Sequence, residues 1–152
     1  MAHNYVTKYK GDAAKVFGRN LPISRKKSFE IANKIRGKDV LWVEKYLERV
    51  IDKKEAVPYK RYNRDTPHRK GKGMSSGRYP VKTSKHFLSL LSSLKSNAED
   101  LGLDLEKLYL KGVVVNKGTK MFHYGRHRGR RMKRAHVEMV AVERENNSDS
   151  NN

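Results

Sequence analysis

The sequence contains no cysteine, so disulfides, thiolate metal sites and a cysteine nucleophile are all excluded. That suits a reducing compartment. Tryptophan occurs once and proline four times in 152 residues. No stretch approaches the roughly 18 apolar residues that span a membrane. The opening MAHNYVTKYKGD has no apolar core and does not read as a signal peptide. Hydrophobic residues make up 36% of the chain, below the usual globular share but enough for one small core. Negative charge is scarce as well, and between Glu106 and Glu138 there is no acidic residue at all.

What the chain has instead is positive charge. Thirty-five Lys and Arg face 16 Asp and Glu, a formal net charge of +19. Such an excess repels itself in a compact state and favours a polyanionic partner. The sequence pI of about 10.2 is that of a nucleic-acid-binding domain. An anionic membrane is the other partner of basic proteins. It calls for a basic amphipathic helix or a lipidation signal, and neither is evident.

The length indicates one domain with extensions. Residues 1–13 read as an N-terminal extension, 14–143 as the domain and 144–152 as a disordered tail, since RENNSDSNN has no apolar residue. Ala14 to Ile23 suits an edge strand. Ser24 is placed to cap a helix SRKKSFEIANKIR, with Phe29, Ile31, Ala32 and Ile35 on its apolar side and Gly37 just beyond its end. Asp39 is placed to cap a second helix, whose stripe is Val43, Leu47, Val50 and Ile51. Residues 57–80 read as a long loop, interrupted by proline and glycine and without hydrophobic period. The strongest helix runs from about Val81 to Leu101, with Phe87, Leu90, Leu91, Leu94, Ala98 and Leu101 at helical spacing and Gly102 following. Val113 to Val115 and HVEMVAVE read as two strands joined by a basic hairpin extension, 117–135. The order β, α, α, loop, α, β, β predicts an α+β fold: three helices packed on a small three-stranded antiparallel sheet, with a long basic β-hairpin extension.

Catalytic signals are weak. His123 and His127 are four apart, but no glutamate lies between them and Gly125 argues against a helix, so a zinc-protease signature fails. Glu44, Glu48 and Asp52 read as a solvated helix face. GRHRG lacks the following helix that a dinucleotide site requires. No cofactor, metal site or catalytic residue is expected.

The basic segments are more specific. The loop carries Lys60, Arg61, Arg64, Arg69, Lys70, Lys72 and Arg78 against a single Asp65, and Lys82 follows it. The hairpin carries Lys117, Lys120, Arg126, Arg128, Arg130, Arg131, Lys133 and Arg134. Tyr59, Tyr62, Tyr79, Phe122 and Tyr124 are interleaved with these cations. Guanidinium forks match phosphate oxygens, aromatic planes stack on bases, and counterion release drives the association. Arg25, Lys26 and Lys27 open a helix and read as a phosphate contact rather than a base reader. No helix has the face of a DNA recognition helix. A folded RNA is therefore the preferred polyanion. Two alternatives stay open: a free-standing RNA chaperone, and a basic RNA-processing nuclease using His123, His127 or His136.

NLPISRKKSFEIANKIRGK, VEKYLERVIDKKEAVPYKRYNR, GRYPVKTSKHFLSLLSSLKSNAEDLGLDLEKLYLKGVVVNKG and AHVEMVAVE together resemble the large-subunit ribosomal protein family L-twenty-two, in its archaeal and eukaryotic form. The resemblance covers roughly Asn20 to Glu143. It implies a non-enzymatic constituent of the large subunit, in the cytoplasm, bound to ribosomal RNA. It implies further that the hairpin tip, Tyr124, Gly125, Arg126, His127, Arg128, Gly129, Arg130 and Arg131, lines the nascent-peptide exit tunnel near ribosomal protein L-four. The nascent peptide would then be a partner by proximity. Between Gly118 and His136 the chain is several residues shorter than the usual family hairpin, and Thr119 stands where proline or a basic residue is common. The resemblance thus implies a tip with a shorter reach or a blunter constriction.

Overall fold

The structure, a computed structural model, describes residues 5, 6, 9, 11–71 and 73–144. Lys72, and residues 145–152 of the tail expected to be disordered, lie outside the described residues.

The order is β1 (Ala14–Leu21), α1 (Arg25–Ile35), α2 (Val40–Ile51), β2 (Val57–Pro58), β3 (Gly77–Arg78), α3 (Val81–Asp100), β4 (Leu108–Lys117) and β5 (Ala135–Glu143). The architecture is the expected α+β arrangement, three helices with an antiparallel three-stranded sheet ordered β1-β5-β4. The last strand in sequence is thus the middle one. It pairs Val16 with Met139 on one side and Val113 with Met139 on the other. α1 packs over β4, α3 over β1, and α2 against α3.

Both faces of β5 are covered. Val137, Met139 and Ala141 join Ile31, Ile35, Val43, Leu47, Phe87, Leu91 and Leu94 in the main core. Val140 and Val142 face the other way, where Ala13, Tyr5, Tyr9 and Tyr109 pack on them. Tyr5, Tyr9 and Ala13 of the N-terminal segment thus help cover the second sheet face.

Helix ends follow the sequence in position but not in chemistry. Gly37 adopts φ +75°, a left-handed conformation suited to glycine, and its N–H donates to the Leu110 carbonyl at 2.8 Å. Ser24 and Asp39 occupy the N-cap positions, yet neither side chain makes a capping hydrogen bond. Asp39 accepts instead from Arg144 Nη2 at 2.8 Å. The apolar side of α1 also departs from expectation. Ser28 and Glu30 are buried along with Ile31, Ala32 and Ile35, while Phe29 is only half-buried. Leu101, placed in the α3 stripe by spacing, lies past the helix end and is 54% exposed.

The 57–80 segment is more ordered than its composition predicts. Val57 and Tyr59 are buried in the main core, β2 pairs with β3, and Arg69 N–H donates to the Ser75 carbonyl at 2.7 Å. No helix among the described residues is long and apolar enough to cross a membrane.

Candidate nucleic-acid interface

Strands β4 and β5 do not separate where their regular ladder ends. Gly118 N–H donates to the Arg134 carbonyl at 3.1 Å, Met132 N–H to the Met121 carbonyl at 2.7 Å, and His123 N–H to the Arg130 carbonyl at 2.9 Å. Phe122 bridges Arg131 across the pair. The turn is closed by a short helical segment, Gly125–His127, entered through Gly125 at φ +64°. Every residue from 119 to 131 is exposed, so this connection contributes no buried side chain to the core. Phe122 and Tyr124 are 57% and 87% exposed, and the Arg131 guanidinium lies 5.0 Å from the centre of the Phe122 ring. Arg126, His127, Arg128, Gly129 and Arg130 form the tip. Exposed aromatic rings among exposed guanidinium groups offer stacking surface and phosphate forks side by side.

At the base of this connection the chain builds two clefts. One, of about 410 Å³, lies between the first turns of α1 and α3 and the returning strand, and is lined by Ser24, Lys27, Lys82, Arg131, Lys133 and Arg134 among others. The second, of about 350 Å³, is lined by Ser24, Arg25, Lys26, Lys117, Lys120, Lys133 and Arg134. No carboxylate lines either cleft among the described residues. The first turns of α1 and α3 contain no acidic residue. Two positive helix ends and a ring of cations thus share one surface, an arrangement that an anion stabilises. Gly118 makes the close approach possible, since a Cβ there would meet Asn20 Oδ1 at 2.6 Å and the Arg134 carbonyl carbon at 3.0 Å. Arg134 lines both clefts. Its Nη1 donates to the Asn20 carbonyl at 3.4 Å, and its Nε is buried without a partner among the described residues.

The loop forms the neighbouring face. Arg61 lies over Phe29 at 5.1 Å and over Tyr62 at 5.7 Å, and Lys26 lies over Tyr62 at 5.5 Å. Lys26 also lines the second cleft, so it joins the loop surface to the hairpin base. Arg78 Nη2 donates to the Asp65 carbonyl at 2.7 Å, and Arg69 lies over Tyr79 at 5.4 Å. Lys60, Arg64 and Lys70 are exposed.

The structure therefore gathers Arg25, Lys26, Lys27, Lys82, Lys117, Lys120, Arg131, Lys133 and Arg134 at the hairpin base. Arg126, Arg128 and Arg130 stand apart at the tip, and the loop cations form a third group. Sequence reasoning missed Glu30, whose buried carboxylate accepts the backbone N–H groups of Lys60, Arg61 and Tyr62. The isolated carboxylate at the start of an apolar stripe was the only available signal.

Among the described histidines, His136 is held within the sheet. His136 Nδ1 accepts the Asn20 N–H at 2.9 Å, and the ring stacks on Phe17. Glu138, the nearest acidic residue in sequence, is 2% exposed and accepts the Val6 N–H at 3.0 Å. Among the described residues no group of three or more His, Asp or Glu could hold a metal ion.

Known proteins share this sequence over most of its length. The profile of the family described as Ribosomal protein L22p/L17e matches residues 16–143. Large ribosomal subunit protein uL22 of Methanococcus aeolicus is 41% identical over 136 residues, covering 86% of this chain and 89% of that protein. The uL22 proteins of Nanoarchaeum equitans and of a Methanococcus maripaludis strain are 40% and 38% identical, over 87% and 90% of this chain and 79% and 96% of their own. The family consists of structural, non-enzymatic ribosomal proteins, which removes the nuclease alternative. With the family profile spanning the sheet, the three helices and the basic connection, the chain belongs to the L22p/L17e family of ribosomal proteins.

Proposed function

We propose that this protein is a structural constituent of the large ribosomal subunit that binds and bridges ribosomal RNA. Its basic connection would lie near or along the nascent-peptide exit tunnel. The observation that carries the reading is the pair of carboxylate-free clefts where α1, α3 and the hairpin base meet. Nine cations drawn from segments far apart in sequence line them, a surface suited to phosphates of two RNA segments at once. The exposed loop cations Lys60, Arg61, Arg64, Arg69, Lys70 and Arg78 extend this surface to a further RNA segment, and Lys72 belongs to the same run of sequence. The domain at 14–143 would support both. The relatives' names as large-subunit proteins support the reading, and the tunnel position, with L-four as neighbour and the nascent peptide passing the tip, is its finer part.

Photocrosslinking tests the reading. A photoreactive residue replaces Tyr124 or Arg128 in actively translating ribosomes. Crosslinks to both large-subunit RNA and nascent peptide are expected. Crosslinks to RNA alone would keep the ribosomal assignment and remove the tip from the peptide's path. Loss of the protein from the large subunit in high salt would favour a free-standing RNA chaperone.

A further inference from the structure

In a chain short of negative charge, a buried carboxylate on α1 is held by backbone N–H groups. Glu30 is 1% exposed. Its Oε1 accepts the backbone N–H of Arg61 at 3.0 Å and of Tyr62 at 2.7 Å, and its Oε2 accepts that of Lys60 at 3.1 Å. Successive N–H groups converging on one anion form a nest, the geometry with which backbone binds phosphate. Here the protein supplies the anion itself. The three bonds draw the backbone of 60–62 toward α1 and leave the Lys60 and Arg61 side chains exposed. The residue before the carboxylate completes the arrangement, because Phe29 meets Tyr62 edge-on at 5.6 Å and lies under the Arg61 guanidinium. A helix turn thus carries both an anchor for the loop backbone and a ring that orients the loop's cation.

We infer that Glu30 is a positioning residue for RNA binding, fixing Lys60, Arg61 and Tyr62 in their binding conformation before RNA arrives. This rests on the RNA-binding function proposed above. Fixing backbone during folding removes an ordering cost that binding would otherwise bear. Simple electrostatics gives the opposite sign. Replacing Glu30 by glutamine raises the net charge by one and would strengthen binding to a polyanion. Glutamine keeps one acceptor oxygen and replaces the other with a donor, so at least one of the three N–H groups loses its acceptor.

The experiment uses the full chain as wild type, E30Q and R61A. Amide exchange at Lys60, Arg61 and Tyr62 is measured without RNA. Affinity is measured by filter binding to transcribed large-subunit ribosomal RNA of Methanococcus maripaludis at fixed moderate salt. Slow exchange at 60–62 relative to Asn63 and Arg64 is expected in the wild type, with faster exchange in E30Q. Both E30Q and R61A should bind about fivefold more weakly than wild type. Unprotected amides at 60–62 in the wild type would overturn the inference, and this readout decides it even if E30Q fails to fold. E30Q binding as tightly as wild type, or more tightly, while R61A weakens would also overturn it and leave the RNA-binding reading standing. Failure of the wild type to bind the RNA would overturn that reading and the inference with it.

Discussion

Asn20 donates its backbone N–H to Nδ1 of His136 at 2.9 Å, joining the end of β1 to the start of β5. Asn20 sits at φ +52°, where the ladder between these strands loses register, and the imidazole substitutes for the missing strand partner. With Nδ1 accepting, the ring proton belongs on Nε2. His136 is therefore part of the sheet. H136A is expected to lower stability by about 1–3 kcal/mol, the cost of an N–H left without its acceptor. Urea unfolding measures this. Purified wild-type protein should leave RNA intact with or without a chelator, and cleavage lost on H136A would reinstate a catalytic histidine.

Tyr59 gives the fold an alkaline limit. Its ring is 5% exposed, and among the described residues nothing hydrogen-bonds its hydroxyl. Burial pushes its pKa from 10.0 up to about 12, with Arg78 opposing the shift and Glu30 adding to it. The folded protein thus holds this proton more tightly than the unfolded chain does. The effect is absent below pH 10. As pH rises from 10 toward 12 the unfolded chain ionises first, and stability falls by about 2–3 kcal/mol at most. Burial raises the pKa of Tyr46 further, in the same sense. Y59F is expected to match or exceed wild-type stability at pH 7 and to lose less between pH 10 and 12. Urea midpoints across that range test it, and an unchanged alkaline loss would assign the effect to Tyr46.

Core and surface within α3 were separable only in part by spacing. Phe87 and Leu101 both fall on the helical stripe, but the helix ends at Asp100 and the chain turns through Gly102 at φ +71°. F87A should cost about 3–5 kcal/mol, since the ring is fully buried. L101A should stay within about 0.5 kcal/mol. Comparable losses in denaturant melts would place Leu101 back in the core.

The same contrast marks what the sequence makes legible. Period and capping position reveal α1, α2, α3 and the sheet, because those signals are local. Asp39 is an N-cap in position only, as its carboxylate turns to Arg144, a residue 105 positions away. β2 and β3 have two residues each and leave no periodic trace. Glu30 reads as an ordinary charge on a helix until the loop folds over it. Runs of cations are plain in the sequence. Their convergence on two clefts is not, because it depends on how α1, α3 and the hairpin base pack together.

Two segments of similar charge should differ in their resistance to protease. The loop is tied down by β2–β3 pairing, by Tyr59 in the core and by the Glu30 carboxylate. Residues 119–131 are all exposed and depend on a few cross-strand bonds. Local opening is therefore easier in the hairpin. Limited trypsin treatment of the free protein should cut first among Arg126, Arg128, Arg130 and Arg131. First cuts at Lys60 or Arg61 would contradict this order.

The hairpin base and the tip are expected to differ in their electrostatic signature. Lys133 and Arg134 line both clefts, where helix ends and neighbouring cations converge on the same space. Phosphates held there release counterions, so each lost contact lowers the salt dependence of binding by roughly one unit of slope. K133A/R134A should weaken binding to large-subunit RNA by about tenfold or more and flatten the plot of log affinity against log salt by about one to two units. Arg126 and Arg128 stand on the exposed tip, outside either cleft. R126A/R128A should lose less affinity for RNA alone, because those side chains meet fewer converging partners. Titrations at several salt concentrations separate the two. Equal loss and equal slope change for both pairs would mean that RNA is held by net charge alone, without a defined site at the hairpin base.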